Sequence, residues 1–332
     1  MRGNFDKKGV TGRFAFILTL GVVALNYKAV AQNRGIFVPY STVAFGVGTS
    51  NYYGDMAAYS RPFASTFNMM RWSVGANYTR HFTPRLAARA AFNYARIAGD
   101  DYVMNHKGKY LGNGQFARNL NFRNDLKEFS VQGIFKLTPD NRSADRRPQF
   151  GSYLFAGVGI VAHNPKAAYV DSTGNKEWIK LQTLHTEGQG NPGYAKPYSL
   201  VSVVIPFGVG VRYKINANFD ISAELGFRYS FSDYLDDIGG GNADPAVFAD
   251  DPLARSLAYR YAELTTARKG RDRTAGLQKF LGVENPNQIA DALEAVVPQS
   301  MPRGNAYKDT YMTGMIHIHY ILPAKIKCPP LK

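Results

Sequence analysis

Three features of this 332-residue chain predict a single fold class. Long segments alternate apolar and polar residues, the connections between them alternate short and long, and a leader of export type precedes them. Together they predict an all-β chain: a transmembrane, antiparallel, up-and-down β-barrel of about eight strands, with a helical insertion in the last external loop.

The clearest alternating segment is Phe219 to Phe231, FDISAELGFRYSF. Phe219, Ile221, Leu225, Phe227, Tyr229 and Phe231 share one face; Asp220, Ser222, Glu224, Gly226, Arg228 and Ser230 share the other. An average soluble strand has about 5–6 residues, whereas a tilted bilayer crossing needs about 9–11. A soluble sandwich strand would alternate in the same way, with its polar face in water, so the rest of the chain has to decide.

Residues 1–31 read as a secretory signal peptide. Arg2, Lys7, Lys8 and Arg13 form a basic start, Phe14 to Leu25 a short apolar run, and Ala29-Val30-Ala31 a small-x-small cleavage pattern. Cleavage between Ala31 and Gln32 leaves residues 32–332 as the barrel, in the cell outer membrane with both termini in the periplasm. The strands then follow as Thr42 to Tyr53, Arg71 to Phe82, Arg85 to Ala95, Lys127 to Leu137, Gly151 to Ala162, Leu200 to Lys214, Phe219 to Phe231 and Tyr311 to Leu322. Facing is ambiguous in the fifth, which apart from Ser152 is apolar or glycine. Short links (Thr83-Pro84, Asp140 to Pro148, Ile215 to Ala217) alternate with long ones, the pattern of periplasmic turns and external loops.

Gly46, Gly48, Gly75, Gly208, Gly210 and Gly226 fall on the polar faces. Glycine weakens a water-facing strand but suits the crowded inner wall of a narrow barrel, so the polar faces are expected to be enclosed. Arg71, Arg89, Glu128, Lys136, Arg212, Asp220, Glu224, Arg228 and His317 then project inward. Enclosed charges need partners, so these residues are expected to form a structural lumenal network that fills the barrel. Aromatic girdles are expected at both rims: Tyr52, Tyr53, Tyr198, Tyr229, Phe231 and Tyr234 outside, Phe82, Tyr213, Phe219 and Tyr320 inside.

The last external loop contains a helical insertion at 239–304. Asp251-Pro252 followed by LARSLAYRYAELTTARK reads as a capped amphipathic helix, with shorter helices over Thr274 to Val283 and Asn287 to Val297. The formal charge of +15 falls to about +11 without residues 1–31, which hold five basic residues and one acidic. The cations are scattered rather than striped, so nucleic acid is not an expected partner; outer-membrane lipid and lipopolysaccharide are. The lone Cys328 permits no intrachain disulfide.

No catalytic, cofactor-binding or metal-binding motif emerges, and a non-enzymatic protein without cofactors is expected. His317 and His319 share a face without evident further ligands. The acidic residues Asp233, Asp236, Asp237, Asp244, Asp250 and Asp251 lack calcium-loop spacing. His163, His185 and Ser199 lie in a loop without a motif tying them together.

Several runs resemble a Bacteroidota family of outer-membrane β-barrels that carries a domain of unknown function and includes PorG-like components of the type IX secretion system. They are Ser50 to Asp55, Tyr153 to Gly159, His163 to Pro165, Leu184 to Tyr194, Lys196 to Ser199, Ile205 to Gly208 and Phe227 to Asp237, with His317 to Tyr320 and Ile326 to Cys328 near the end. The resemblance implies an integral outer-membrane protein and, in PorG-like members, association with periplasmic secretion-ring proteins. The run from about Gly239 to Gly304 has no counterpart in typical members. The expected role is a structural or anchoring part of an envelope complex, type IX secretion in the first instance. The alternative is a stand-alone surface barrel whose helical cap mediates adhesion or ligand binding.

Overall fold

The computed structural model describes residues 37–57, 62–104, 114–171, 173–266, 268–300, 303–304 and 308–322. The leader, its cleavage point at Ala31 and Gln32, and Cys328 lie outside the described residues.

Eight long strands close an antiparallel ring. They are β1 (Tyr40–Tyr53), β2 (Arg71–His81), β3 (Leu86–Asp100), β4 (Asn121–Lys136), β5 (Phe150–Ala162), β8 (Val201–Lys214), β9 (Phe219–Ser230) and β10 (Thr310–Leu322). Each pairs with its neighbours in chain order, and β1 pairs with β10 from Ser41↔Leu322 to Tyr53↔Thr310, so no edge is left open. Closure satisfies the backbone within the ring, which a bilayer crossing requires. Among the described residues no helix is long and apolar enough to cross a membrane.

The outer wall is apolar along its length. Phe45 (62% exposed), Val158 (63%), Val209 and Ile318 are exposed, while inward residues such as Arg89 (3%) are buried. A water-soluble protein of this size would not leave so continuous an apolar belt in solvent. Apolar outside and polar inside is the arrangement of an outer-membrane β-barrel. The alternation also resolves β5: Tyr153 and Phe155 point inward, and Leu154, Val158 and Ile160 outward.

At one end the links are tight. Phe82 N–H and Thr83 N–H donate to the Leu86 carbonyl (3.0 and 3.2 Å), and Ile215 N–H donates to that of Phe219 (3.0 Å). At the other end β1, β3 and β4 continue beyond the belt into a capped mouth. There both faces are buried, as in Ile97 to Asp100 and Ser50 to Tyr53. Alternation fades once both faces are covered, so β3 ends at Asp100 rather than Ala95 and β4 begins at Asn121 rather than Lys127.

Two further strands, β6 (Lys166–Val170) and β7 (Lys176–Lys180), form a hairpin joined to β4 through Arg123↔Lys166. This hairpin lies within what reads as plain loop in the sequence. The long helix expected after Asp251 stops at Ala258. Asp251 does cap it, accepting from Ala254 N–H (2.9 Å), and Pro252 begins it. It ends because Tyr259 leaves helical geometry (φ −122°, ψ 75°) before a 3-10 turn at Arg260–Ala262. Helices Thr274–Leu281 and Ile289–Ser300 follow.

Candidate functional site

Eight strands leave an interior that side chains can fill, and here polar side chains fill it in layers. Nearest the tight turns, Asp140 accepts from Arg212 (2.8 Å), Tyr40 (2.6 Å) and Lys136, and Asp220 is clasped by Arg147 (2.7 Å). In the middle layer Glu224 accepts from Arg89 and from the Tyr153 hydroxyl, both at 2.5 Å, and Arg89 also donates to Gln132 (3.0 Å). In the third, Glu128 accepts from Arg228 (3.1 Å), Tyr311 (2.7 Å) and Asn93 (3.2 Å).

Glycines make room for this filling. A Cβ on Gly46 would lie 2.2 Å from the His317 ring, and one on Gly210 would lie 2.3 Å from the Tyr153 ring. His317 lies beside His319, ring centres 5.9 Å apart, and His319 bonds the Ser222 hydroxyl (2.8 Å). Arg71 stands apart, half-exposed at the mouth, with Nη1 donating to the Met70 carbonyl (2.7 Å). Alternation gave no sign of Tyr40, Asp140 and Arg147. Asp140 and Arg147 lie in a turn and Tyr40 at the very start of β1, where facing has no period to report it.

The capped mouth gathers a second set. The Tyr52 hydroxyl lies 2.6 Å from Asp236 and 2.5 Å from Asp309. One hydroxyl proton cannot serve two carboxylates. Oxygens of Asp55, Asp236 and Asp309 all lie within 4.8 Å of one another, and all three residues are buried. Burial, reinforced by the neighbouring acids, raises the Asp236 and Asp309 carboxyls well above their ordinary range. Protons held between them relieve the repulsion. Arg118 stands close by, donating to the Asp55 carbonyl (3.1 Å) and pairing with Asp101 (2.8 Å).

The acidic run at 233–237 therefore divides among separate partners. Asp233 meets Lys308 (3.2 Å), Asp236 meets Tyr52, and Asp237 accepts from Tyr198 (2.6 Å) and Thr186. Thr186 and Glu187 begin the TEGQG run, and Glu187 accepts from Gly239 and Gly240 N–H (3.2 Å each). Arg303 joins both runs, lying 3.3 Å from Glu187 and 3.6 Å from Asp237. Two of the segments that carry the family resemblance thus pack on each other at the mouth. Asp244 and Asp251 serve as helix caps instead.

The expected outer girdle is corrected here. Tyr229 and Phe231 face outward, but Tyr52 is wholly buried, Tyr53 nearly so, and Tyr198 stacks on Tyr234 (4.5 Å) within the mouth. The Tyr52 and Tyr198 hydroxyls serve buried acids and the Tyr53 hydroxyl meets that of Thr66 (2.6 Å), demands that aromatic clustering in sequence does not reveal. At the tight-turn end Phe82, Tyr213, Phe219 and Tyr320 are exposed on the outer wall.

The insertion belongs to the same cap. Arg273 donates to the carbonyls of Phe116 (2.5 Å) and Ala117 (2.9 Å), and Arg260 to that of Ala168 (2.6 Å). Leu257 packs on Ala167 and Leu181. His163 is buried, stacks parallel to Tyr198 at 6.2 Å, and has its imidazole pushed down to about 4 by burial. Ser199 donates to the Val201 carbonyl (2.9 Å) rather than to an imidazole.

The chain matches no protein-family model and no curated protein. Solved structures similar to it include Ail, the attachment invasion locus protein of Yersinia pestis, in complex with the heparin analogue sucrose octasulfate. That match has 11% identity over 86% of this chain and 100% of Ail, with a TM-score of 0.35. The N-terminal β-barrel domain of Pseudomonas aeruginosa OprF is similar at 8% identity over 85% of this chain and 98% of that domain, TM-score 0.32. Neisserial surface protein A is similar at 8% identity over 84% of this chain and 96% of its own, TM-score 0.32.

Proposed function

We propose that this outer-membrane β-barrel is a non-enzymatic, structural or anchoring component of an envelope complex, with type IX secretion as the assembly. The observation that carries the reading is the filled interior: three layers of paired charges beneath a mouth sealed by a hydrogen-bonded cap. Such a barrel holds position in the membrane rather than passing solute. The resemblance of the TEGQG and SDYLDD runs to PorG-like proteins supplies the assembly. On this reading a leader directs export, the tight turns face the periplasm, and secretion-ring proteins are the partners there.

Purification of the full-length protein in mild detergent tests the assignment. Recovery of periplasmic ring proteins, lost when the turn residues Arg142 and Arg146 are replaced by glutamate, supports it. A barrel recovered intact and alone from cells that express the ring counts against it. In planar bilayers the wild-type protein is expected to give no steady conductance steps.

A second reading rests on the cap. The insertion forms part of the described outer surface and bears exposed cations such as Lys269 and Arg271, which suits capture of an anionic surface ligand. Unchanged surface binding after removal of the insertion would eliminate it.

A further inference from the structure

The lumen holds more positive charge than negative. Between the tight turns and the Glu128 layer, Arg89, Lys136, Arg147, Arg212 and Arg228 are enclosed with Glu128, Asp140, Asp220 and Glu224. With the histidines neutral, one positive charge is left over. An enclosed, uncompensated charge is costly.

The surplus has a place to be answered. Arg89 is 3% exposed, yet its Nη2 has no hydrogen-bond partner among the described residues, and neither has His81 Nδ1. Both residues line a cavity of about 40 Å³ near the tight turns, together with Thr42, Thr79, Lys136, Arg212 and Asp220, whose carboxylate Arg147 clasps at 2.7 Å. One water needs about 10–15 Å³ on this measure, so the space has room for a monatomic ion and a water beside it. The Thr42 hydroxyl lies 3.5 Å from His81 Nε2. If Thr42 donates there, the ring proton sits on Nδ1, a second unpartnered donor on a residue that lines the cavity.

We propose that this cavity is a binding site for a small inorganic anion of chloride size, held by Arg89 Nη2 and His81 Nδ1–H with Lys136 and Arg212 supplying the field. The bound ion completes the charge balance of the lumen and ties β2, β3, β4 and β8 together at the tight-turn end.

Bromide is the probe. Crystals of the full chain in detergent, soaked in sodium bromide, are expected to show an anomalous peak in the cavity beside Arg89. Lys136→Met removes the surplus charge while Asp140 keeps Arg212 and Tyr40, and the peak is expected to vanish. Gly151→Val keeps every charge and fills the space. A Cβ there meets only the Arg212 guanidinium, at 3.5 Å or more, and this variant is expected to lose the peak as well. In solution, replacing gluconate by chloride at constant ionic strength should raise the unfolding midpoint of the wild type and of neither variant. Heat-modifiable gel mobility identifies the folded variants, and either one alone decides the matter. A wild-type cavity without bromide, a peak that survives in a folded variant (an adventitious ion only), or an equal chloride effect in wild type and variant overturns the proposal.

Discussion

Arg89 and Glu224 illustrate how much one pair of side chains contributes to this barrel. They meet at 2.5 Å with side-chain exposures of 3% and 8%, so neither charge has water to turn to. Removing one partner of a buried pair costs about 3–5 kcal/mol, whereas replacing both by apolar residues is often near neutral. Arg89→Met is therefore expected to destabilise strongly, and Arg89→Met with Glu224→Met to recover most of the loss. Denaturant unfolding in lipid vesicles, followed by the fluorescence of Trp72 in β2, measures both; a double variant as weak as the single one would refute the pairing account. Asp237 carries a pH dependence. Burial pushes its carboxyl up to about 6, against the opposing pull of Arg303, while an unfolded Asp titrates near about 3.9. The folded state thus keeps its proton longer. Its contribution is complete below about pH 4, is lost as pH rises through about 6, and stays lost above. Asp237→Asn should reduce that decline, with Asp236, Asp309 and Glu187, whose carboxyls burial also raises, supplying the remainder. Hydrogen exchange across residues 186–190 and 236–239, corrected for intrinsic rates at pH 4 and pH 7, tests this; an unchanged decline would mean the proton lies elsewhere. Strand alternation made the inward facing of Arg89, Glu128, Glu224 and Arg228 legible in the sequence. It could not make the Asp55, Asp236 and Asp309 cluster legible, because those residues sit in loops far apart in the chain.

At the scale of the element, β9 shows why period two was decisive here and silent elsewhere. Lipid on one side and a polar filling on the other force the alternation from Phe219 to Ser230. Leu225 lies near its middle, 41% exposed on the outer wall and paired with Val209 on β8 and Gly314 on β10. An arginine on the lipid face costs about 2–4 kcal/mol at the bilayer midplane and about 0–1 near the interface. Leu225→Arg is expected to fall in the first range and Phe231→Arg in the second, read by equilibrium folding into vesicles. Equal costs would mean that the belt does not mark the bilayer. Where strands rise into the cap this forcing disappears, which is why the ends of β3 and β4 escaped the pattern. The β6–β7 hairpin escaped for a different reason. Five-residue strands held by a turn at Asp171, which accepts from Thr173 and Asn175 N–H (2.9 and 2.8 Å), are too short to show a period.

At the scale of the whole molecule, the barrel and the inserted part of its cap are separable in energy although they are packed together. All three charged layers of the lumen are built from the strands and the tight turns, and among the described residues none draws a side chain from 241–302. The two ends of the insertion also meet, with Gly304 N–H donating to the Gly240 carbonyl (3.2 Å). A shortened chain can therefore cross the gap with little strain, and closing a shorter loop costs less entropy. Arg303 must stay, because Glu187 and Asp237 are buried beside it. Removal of residues 241–302 is accordingly expected to leave a folded barrel with wild-type heat-modifiable mobility and no conductance. It uncovers Phe116, Ala117, Ala167 and Leu181, which the insertion now covers, so faster proteolysis of the 163–200 loop should accompany the intact barrel. If mobility is lost instead, the insertion is part of the folding unit. If mobility is kept but conductance appears, the seal lies in the cap and not in the layered charges below it.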